Sequence, residues 1–156
     1  MVNNPFILYG YESDKYFCDR KAETQELKRL VTNGNHVALI APRRIGKTGL
    51  IENLFHQKDI QRNYYTFLID IYATKSIEEL VMAMGTCMLS SLRPRGAKVV
   101  QRFINILSSL RTGISFDAIG NPSWNLEVGD IHLPRTTVDE IFEYIDSADK
   151  PCIIAD

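Results

Sequence analysis

Lys47 and Thr48, directly behind Gly46, are the residues of this chain best suited to chemistry on a phosphate. An ammonium on a flexible stem suits the outer oxygens of a polyphosphate, and a hydroxyl is a hard oxygen ligand of the kind Mg²⁺ takes. Gly46 lets the backbone approach an anion with no side chain in the way. The eight residues Ala41-Pro42-Arg43-Arg44-Ile45-Gly46-Lys47-Thr48 keep the spacing G-x-x-x-x-G-K-[ST] of a phosphate-binding loop, with alanine for the first glycine. Alanine is the smallest replacement, and that position closes the preceding strand rather than touching phosphate, so the loop is expected to keep its form. Ile45, Gly46, Lys47, Thr48 and Gly49 would present backbone N–H groups to the anion. Arg43 and Arg44 either reach a γ-phosphate or stay solvated.

Such a loop needs a strand to enter it and a helix to leave it. The apolar run Val37-Ala38-Leu39-Ile40 reads as the strand, and the amphipathic stretch Leu50-Ile51-Glu52-Asn53-Leu54-Phe55 as the helix. The helix start leaves unpaired amides and the positive end of a dipole facing the loop. A second strand–acid pair stands at Cys152-Ile153-Ile154-Ala155-Asp156, where a carboxylate at the end of a buried strand is a candidate Mg²⁺ ligand. Asp70 follows another apolar strand; it is read either as a partner of the metal or attacking water, or as a helix cap or surface acid.

The remaining composition narrows the field without naming a ligand. The chain has 156 residues, enough for one domain with a core and too few for two comfortable ones. A net charge of −1 gives no general attraction to nucleic acid or an anionic membrane. Arg93, Arg95 and Lys98 form a local basic group, read as a solvated loop. Cys18, Cys87 and Cys152 are widely spaced, with no C-x-x-C, which argues against a zinc site or a disulfide framework. The N-terminal segment lacks the pattern of a signal peptide, and no apolar run reaches membrane-spanning length, so a soluble cytoplasmic protein is expected.

Taken in order, residues 1–19 read as an extended aromatic lead-in. A helix is expected over 20–33, capped by Asp19, burying Leu27, Leu30 and Val31, and ended by Gly34. Tyr64–Tyr72 reads as a strand covered on both faces. Ser76 and Glu79 form a capping box ahead of Ile77, Leu80, Val81, Met84, Met88 and Leu92, with Gly85 marking a close approach. Another helix is expected over 97–111. From 113 to 131 the period turns to two around Ile119-Gly120-Asn121-Pro122, the pattern of a hairpin that carries Ile114, Phe116, Trp124, Leu126 and Val128. Trp124 either packs that hairpin down or offers a stacking face. Thr137 and Glu140 read as a second capping box, opening a helix whose buried stripe is Val138, Ile141, Phe142 and Ile145.

The motif Pro42-Arg43-Arg44-Ile45-Gly46-Lys47-Thr48, with the acid-ended strand at Asp156, resembles the prokaryotic AAA-type, STAND-like P-loop ATPases. The lead-in FILYGYESDKYFCDRKAETQEL is similar to that group's N-terminal box. The resemblance implies an α/β three-layer sandwich with a mainly parallel sheet, incomplete at its C-terminus, with 113–131 as a β-hairpin insertion. It implies ATP and Mg²⁺ as cofactors, with Lys47 and Asp156 in the catalytic role and Thr48 and Asp156 on the metal. Arg44, Ile45, Gly46, Lys47, Thr48 and Gly49 would bind nucleotide, and the box residues Tyr9 and Arg20 would lie against the adenine. As partners it implies ATP and ADP, a C-terminal lid and effector domain of the same protein, and a homo-oligomer, with nucleic acid reached only through other regions. The chain would then be the N-terminal part of an ATPase that binds nucleotide and turns it over slowly or not at all. A small-molecule kinase and a non-hydrolysing nucleotide-binding scaffold are the alternative functions.

Overall fold

Residues 20–107, 114–116, 122–124 and 134–156 are described by the computed structural model, in which the chain divides at Asn63 and Tyr64 into two compact units. The first unit carries three helices, α1 (Lys21–Thr32), α2 (Lys47–His56) and α3 (Lys58–Asn63). α1 buries Leu27 and half-buries Leu30 and Val31, as its spacing predicts. Its N-cap falls on Arg20, without a side-chain capping bond, and not on Asp19, which lies outside the described residues. Gly34, at φ +76°, donates its N–H to Val31 O at 3.1 Å and closes the C-terminus as expected. Lys28 Nζ meets Asp59 Oδ2 at 2.6 Å, which joins α1 to α3 and holds the Asp59 carboxyl below its ordinary range.

The entering strand expected at Val37–Ile40 is corrected by the structure. Residues 35–42 carry no regular secondary structure, and Ile40 is 94% exposed. The reason is physical: a strand exists only within a ladder, and no described residue pairs its backbone with this run.

In the second unit β1 (Tyr65–Leu68) leads to α4 (Ile77–Leu92), a 3₁₀ turn at Arg93–Arg95 and α5 (Ala97–Ile106). β2 (Ile114–Phe116), β3 (Pro122–Trp124), α6 (Pro134–Ser147) and β4 (Cys152–Ala155) follow. β1 and β4 pair in parallel from Tyr65↔Cys152 to Leu68↔Ala155, and Ile69 N–H adds a bond to Ala155 O at 2.8 Å. β2 and β3 pair antiparallel with Ile114 opposite Trp124, the hairpin that the alternating pattern predicts; Leu126 and Val128 lie outside the described residues. The core gathers β1, α4, α5 and α6 around Phe67, Val81, Met88, Leu92, Phe103, Leu107, Ile141 and Tyr144, each with at most 1% of its surface exposed. Phe103 and Tyr144 meet edge to face, ring centroids 4.9 Å apart.

The three-layer sandwich with a mainly parallel sheet is not formed. Among the described residues the strands make one parallel pair and one antiparallel pair, and the rest of the regular structure is helical. The apolar run at 37–40 stays unpaired, and most other apolar positions recur at helical spacing, so little chain is left to extend a sheet. The strand expected over Tyr64–Tyr72 shortens to Tyr65–Leu68, because Asp70 Oδ1 accepts the N–H of Tyr72 at 3.0 Å and turns the chain. Its cover also differs: Tyr65 and Phe67 are buried, whereas Thr66 and Leu68 are half-buried. The helix expected over 97–111 ends at Ile106, and 108–111 lie outside the described residues. α6 begins at Pro134, not Thr137, since proline at a first helical position forfeits no hydrogen bond. Of the expected stripe, Ile141 is buried and Val138 and Ile145 pack against the core; Thr137 and Tyr144 join them, while Phe142 is 51% exposed.

The capping box ahead of α4 is half-formed. Ser76 Oγ accepts the N–H of Glu79 at 3.3 Å, but Glu79 Oε2 accepts from Lys75 N–H at 2.6 Å instead of Ser76 N–H. Replacing Ser76 with alanine should cost about 1 kcal/mol of stability, read as a lowered urea midpoint with unchanged slope. No change would show that the bond from Glu79 N–H to Ser76 Oγ adds nothing to this end of the helix.

Tyr65 joins β1 to the turn before β4. Its hydroxyl donates to Asp149 Oδ1 at 2.9 Å, and the Arg95 guanidinium lies 5.0 Å from its ring centroid. Burial, then the bond to Asp149, pushes the Tyr65 phenol up to about 12. An unfolded tyrosine titrates near 10, so between about pH 10 and 12 the unfolded chain loses this proton while the folded chain keeps it. The contribution is present in full below about pH 10 and is lost as pH rises through 12. Alkaline melts should show that loss in the wild type and a shallower one in Tyr65→Phe.

Candidate functional site

The phosphate-type loop is built by two left-handed residues. Arg44 lies at φ +65°, the one described non-glycine residue at positive φ, and Gly46 at φ +79°. Such a conformation is unfavourable for a residue with a Cβ, by roughly 1–2 kcal/mol, so the sharp turn is imposed on Arg44 by its neighbours. Gly46 is also the N-cap of α2. The first amide of that helix with a helical acceptor is Leu50 N–H, on Gly46 O at 3.0 Å. The amides of Lys47, Thr48 and Gly49 thus have no acceptor within the helix, the condition that makes a helix start receptive to an anion.

Side chains from two elements converge on the turn. Lys47 Nζ donates to Ala41 O at 2.8 Å and Pro42 O at 3.0 Å, so the ammonium is folded over the carbonyls that enter the loop. Arg20 Nη1, from the start of α1, donates to Ile45 O at 2.9 Å and to Gly46 O at 3.3 Å. Thr48 is exposed on the first turn of α2 and Gly49 half-buried beside it. Next to the loop lies a cavity of about 460 Å³, lined by Leu27 and Leu30 of α1, by Val37, Leu39, Ile40 and Ala41, and by Lys47, with Arg20, Glu23 and Glu26 among the other walls. That volume is within the range of small-molecule sites, and its lining is chiefly apolar.

Of the residues read from sequence, Arg20, Arg44, Ile45, Gly46, Lys47, Thr48 and Gly49 are brought together on this one turn. Tyr9 lies outside the described residues. Asp156 belongs to the second unit, exposed after the last residue of β4, and Asp70 lies two residues past β1 with its carboxylate occupied by the Tyr72 amide. Among the described residues no group of three or more His, Cys, Asp or Glu side chains is placed to hold a metal. Cys87 and Cys152 are free thiols; burial raises both, Cys152 to about 11, which keeps it protonated and poorly nucleophilic at neutral pH. Sequence reasoning missed Thr24, whose buried hydroxyl lies 3.3 Å from Asn53 Oδ1 and ties α1 to α2; a polar residue on the Leu27 face was the available signal.

No helix among the described residues is long and apolar enough to cross a membrane. Compared with family models, curated proteins and solved structures, the chain matches none.

Proposed function

We propose that the chain binds ATP through residues 41–49, with Mg²⁺ at the Thr48 hydroxyl, in the service of a switch-type P-loop ATPase. The observation that carries the reading is the Gly46 turn, which leaves the Lys47, Thr48 and Gly49 amides without helical acceptors beside a lysine ammonium. Amides in this arrangement bind phosphate oxygens through hydrogen bonds and the helix dipole together. Lys47 would exchange its two carbonyl partners for phosphate oxygens, gaining charge–charge attraction that a neutral carbonyl does not offer. Thr48 would help to hold Mg²⁺, whose positive charge would offset the negative charge of the phosphates. The adjoining apolar cavity provides concave surface for the rest of the ligand. Hydrolysis is the activity that the resemblance implies for the whole ATPase; Asp156 stands in the second unit, and the binding reading does not draw on it.

Calorimetric titration of the chain with Mg·ATP, Mg·ADP and AMP tests this. Affinity should fall steeply on going to AMP, because the phosphates supply the charged contacts. Equal affinity for all three, or no binding of ATP, would remove the reading.

A further inference from the structure

We propose that Arg20 is a positioning residue of the phosphate loop, acting through the loop backbone and not by touching the nucleoside. The inference rests on the nucleotide reading for its ligand and on the hydrogen bonds of Arg20 for its mechanism. Arg20 Nη1 holds two successive carbonyls, Ile45 O at 2.9 Å and Gly46 O at 3.3 Å. A peptide unit is planar and trans, so its C=O and N–H point in opposite directions. Drawing the Ile45 carbonyl toward Arg20 therefore turns the Gly46 N–H away from it, and drawing the Gly46 carbonyl does the same for the Lys47 N–H. The Gly46 amide is aimed by the guanidinium, and the Lys47 amide by the guanidinium together with the Leu50 N–H, which Gly46 O also accepts at 3.0 Å.

The guanidinium is delivered from a fixed base. The Arg20 carbonyl accepts the Thr24 N–H at 3.0 Å and the Thr24 hydroxyl at 2.8 Å, and that hydroxyl lies 3.3 Å from Asn53 Oδ1 on α2. Glu23, with an oxygen 3.5 Å from Arg20 Nε, steadies the other side of the fork. The start of α1 is thus tied both to the loop and to the helix that leaves it. A Cβ built on Gly46 would stand 3.7 Å from Arg20 Nη1, an ordinary contact, so Arg20 constrains this residue through its carbonyl and not by crowding it.

Backbone ¹⁵N relaxation and ligand binding on Arg20→Ala and Arg20→Lys test the proposal. In ligand-free protein, the backbone order parameter at Gly46 should fall from about 0.85 to below about 0.6 in Arg20→Ala, and less in Arg20→Lys, which keeps the charge. Affinities for Mg·ATP and for inorganic tripolyphosphate should fall by the same factor, about tenfold, because the defect lies in the shared phosphate cradle. If ATP weakens while tripolyphosphate does not, Arg20 contacts the nucleoside and the proposal is wrong. An unchanged order parameter in a protein that still binds ATP overturns the proposal alone. A wild-type chain that binds neither probe removes the nucleotide reading and this inference with it. Should Arg20→Ala fail to fold, Arg20→Lys carries the same comparisons.

Discussion

Replacing Lys47 with alanine is expected to weaken Mg·ATP binding by roughly tenfold to a hundredfold. A hydrogen bond to a charged group contributes about 1.5–3 kcal/mol, and each 1.4 kcal/mol is a factor of ten. The half-buried ammonium already sits against the loop, on Ala41 O and Pro42 O, so little side-chain ordering is needed for it to reach a phosphate. Because those same bonds brace the loop, part of any loss in Lys47→Ala could be a distorted turn. Lys47→Arg separates the two effects: it keeps the charge but replaces a compact ammonium with a planar fork, and should recover only part of the affinity. Fluorescence titration with an ATP analogue, alongside thermal melts, reads both. Wild-type affinity in Lys47→Ala would mean that the loop does not hold phosphate.

The largest expected effect on stability lies in the second unit. Phe103→Ala empties a fully buried aromatic site and should cost about 3–5 kcal/mol, a large part of the roughly 5–15 kcal/mol that holds a typical domain. Its edge contact with Tyr144 adds to the loss. Phe142→Ala, on the exposed side of α6, should change stability by no more than about 0.5 kcal/mol. Urea denaturation of the two variants decides which face of α6 is inward. Comparable losses would show that the helix is rotated from the orientation described.

The contrast between Phe103 and Phe142 shows what the sequence could and could not convey. Helical spacing, with Gly34 ending α1 and Ser76 opening α4, located α1, α4, α5 and α6, because a buried stripe repeats every 3.6 residues whatever it packs against. The stripe of α6 was legible for Val138, Ile141 and Ile145, which are buried in or packed against the core, but not for Phe142, whose place is taken by Thr137 and Tyr144 once the neighbours are known. Its start was misread because Thr137 and Glu140 imitate a cap, although Pro134 is an equally good start signal. Strands fared less evenly. Cys152–Ala155 forms where expected since β1 lies beside it, whereas Val37–Ile40 has the same apolar character and no described partner. Pairing is a property of two segments, and one segment cannot report it. At the candidate site the residue types around Gly46 were legible from spacing, but the destination of the Arg20 side chain was not. Nothing in its neighbours encodes two carbonyls 25 and 26 positions away.

The unpaired run before the loop also bears on how the protein behaves in a test tube. His36-Val37-Ala38-Leu39-Ile40-Ala41 is a six-residue window without Asp, Glu, Lys, Arg or proline, and Ile40 within it is almost wholly exposed. Apolar, uncharged segments of this length are the seeds of cross-β stacking between chains. Pro42, Arg43 and Arg44 stand directly behind it, a ring-locked residue with no amide hydrogen followed by two positive charges, the combination that blocks strand-on-strand growth. The two arginines occupy the flanking position where charge opposes such assembly, irrespective of any ligand. Neutralising Arg43 and Arg44 to probe phosphate contacts would strip away these gatekeepers, and a variant that turns cloudy on concentration would be reporting on the apolar window, not on the anion cradle.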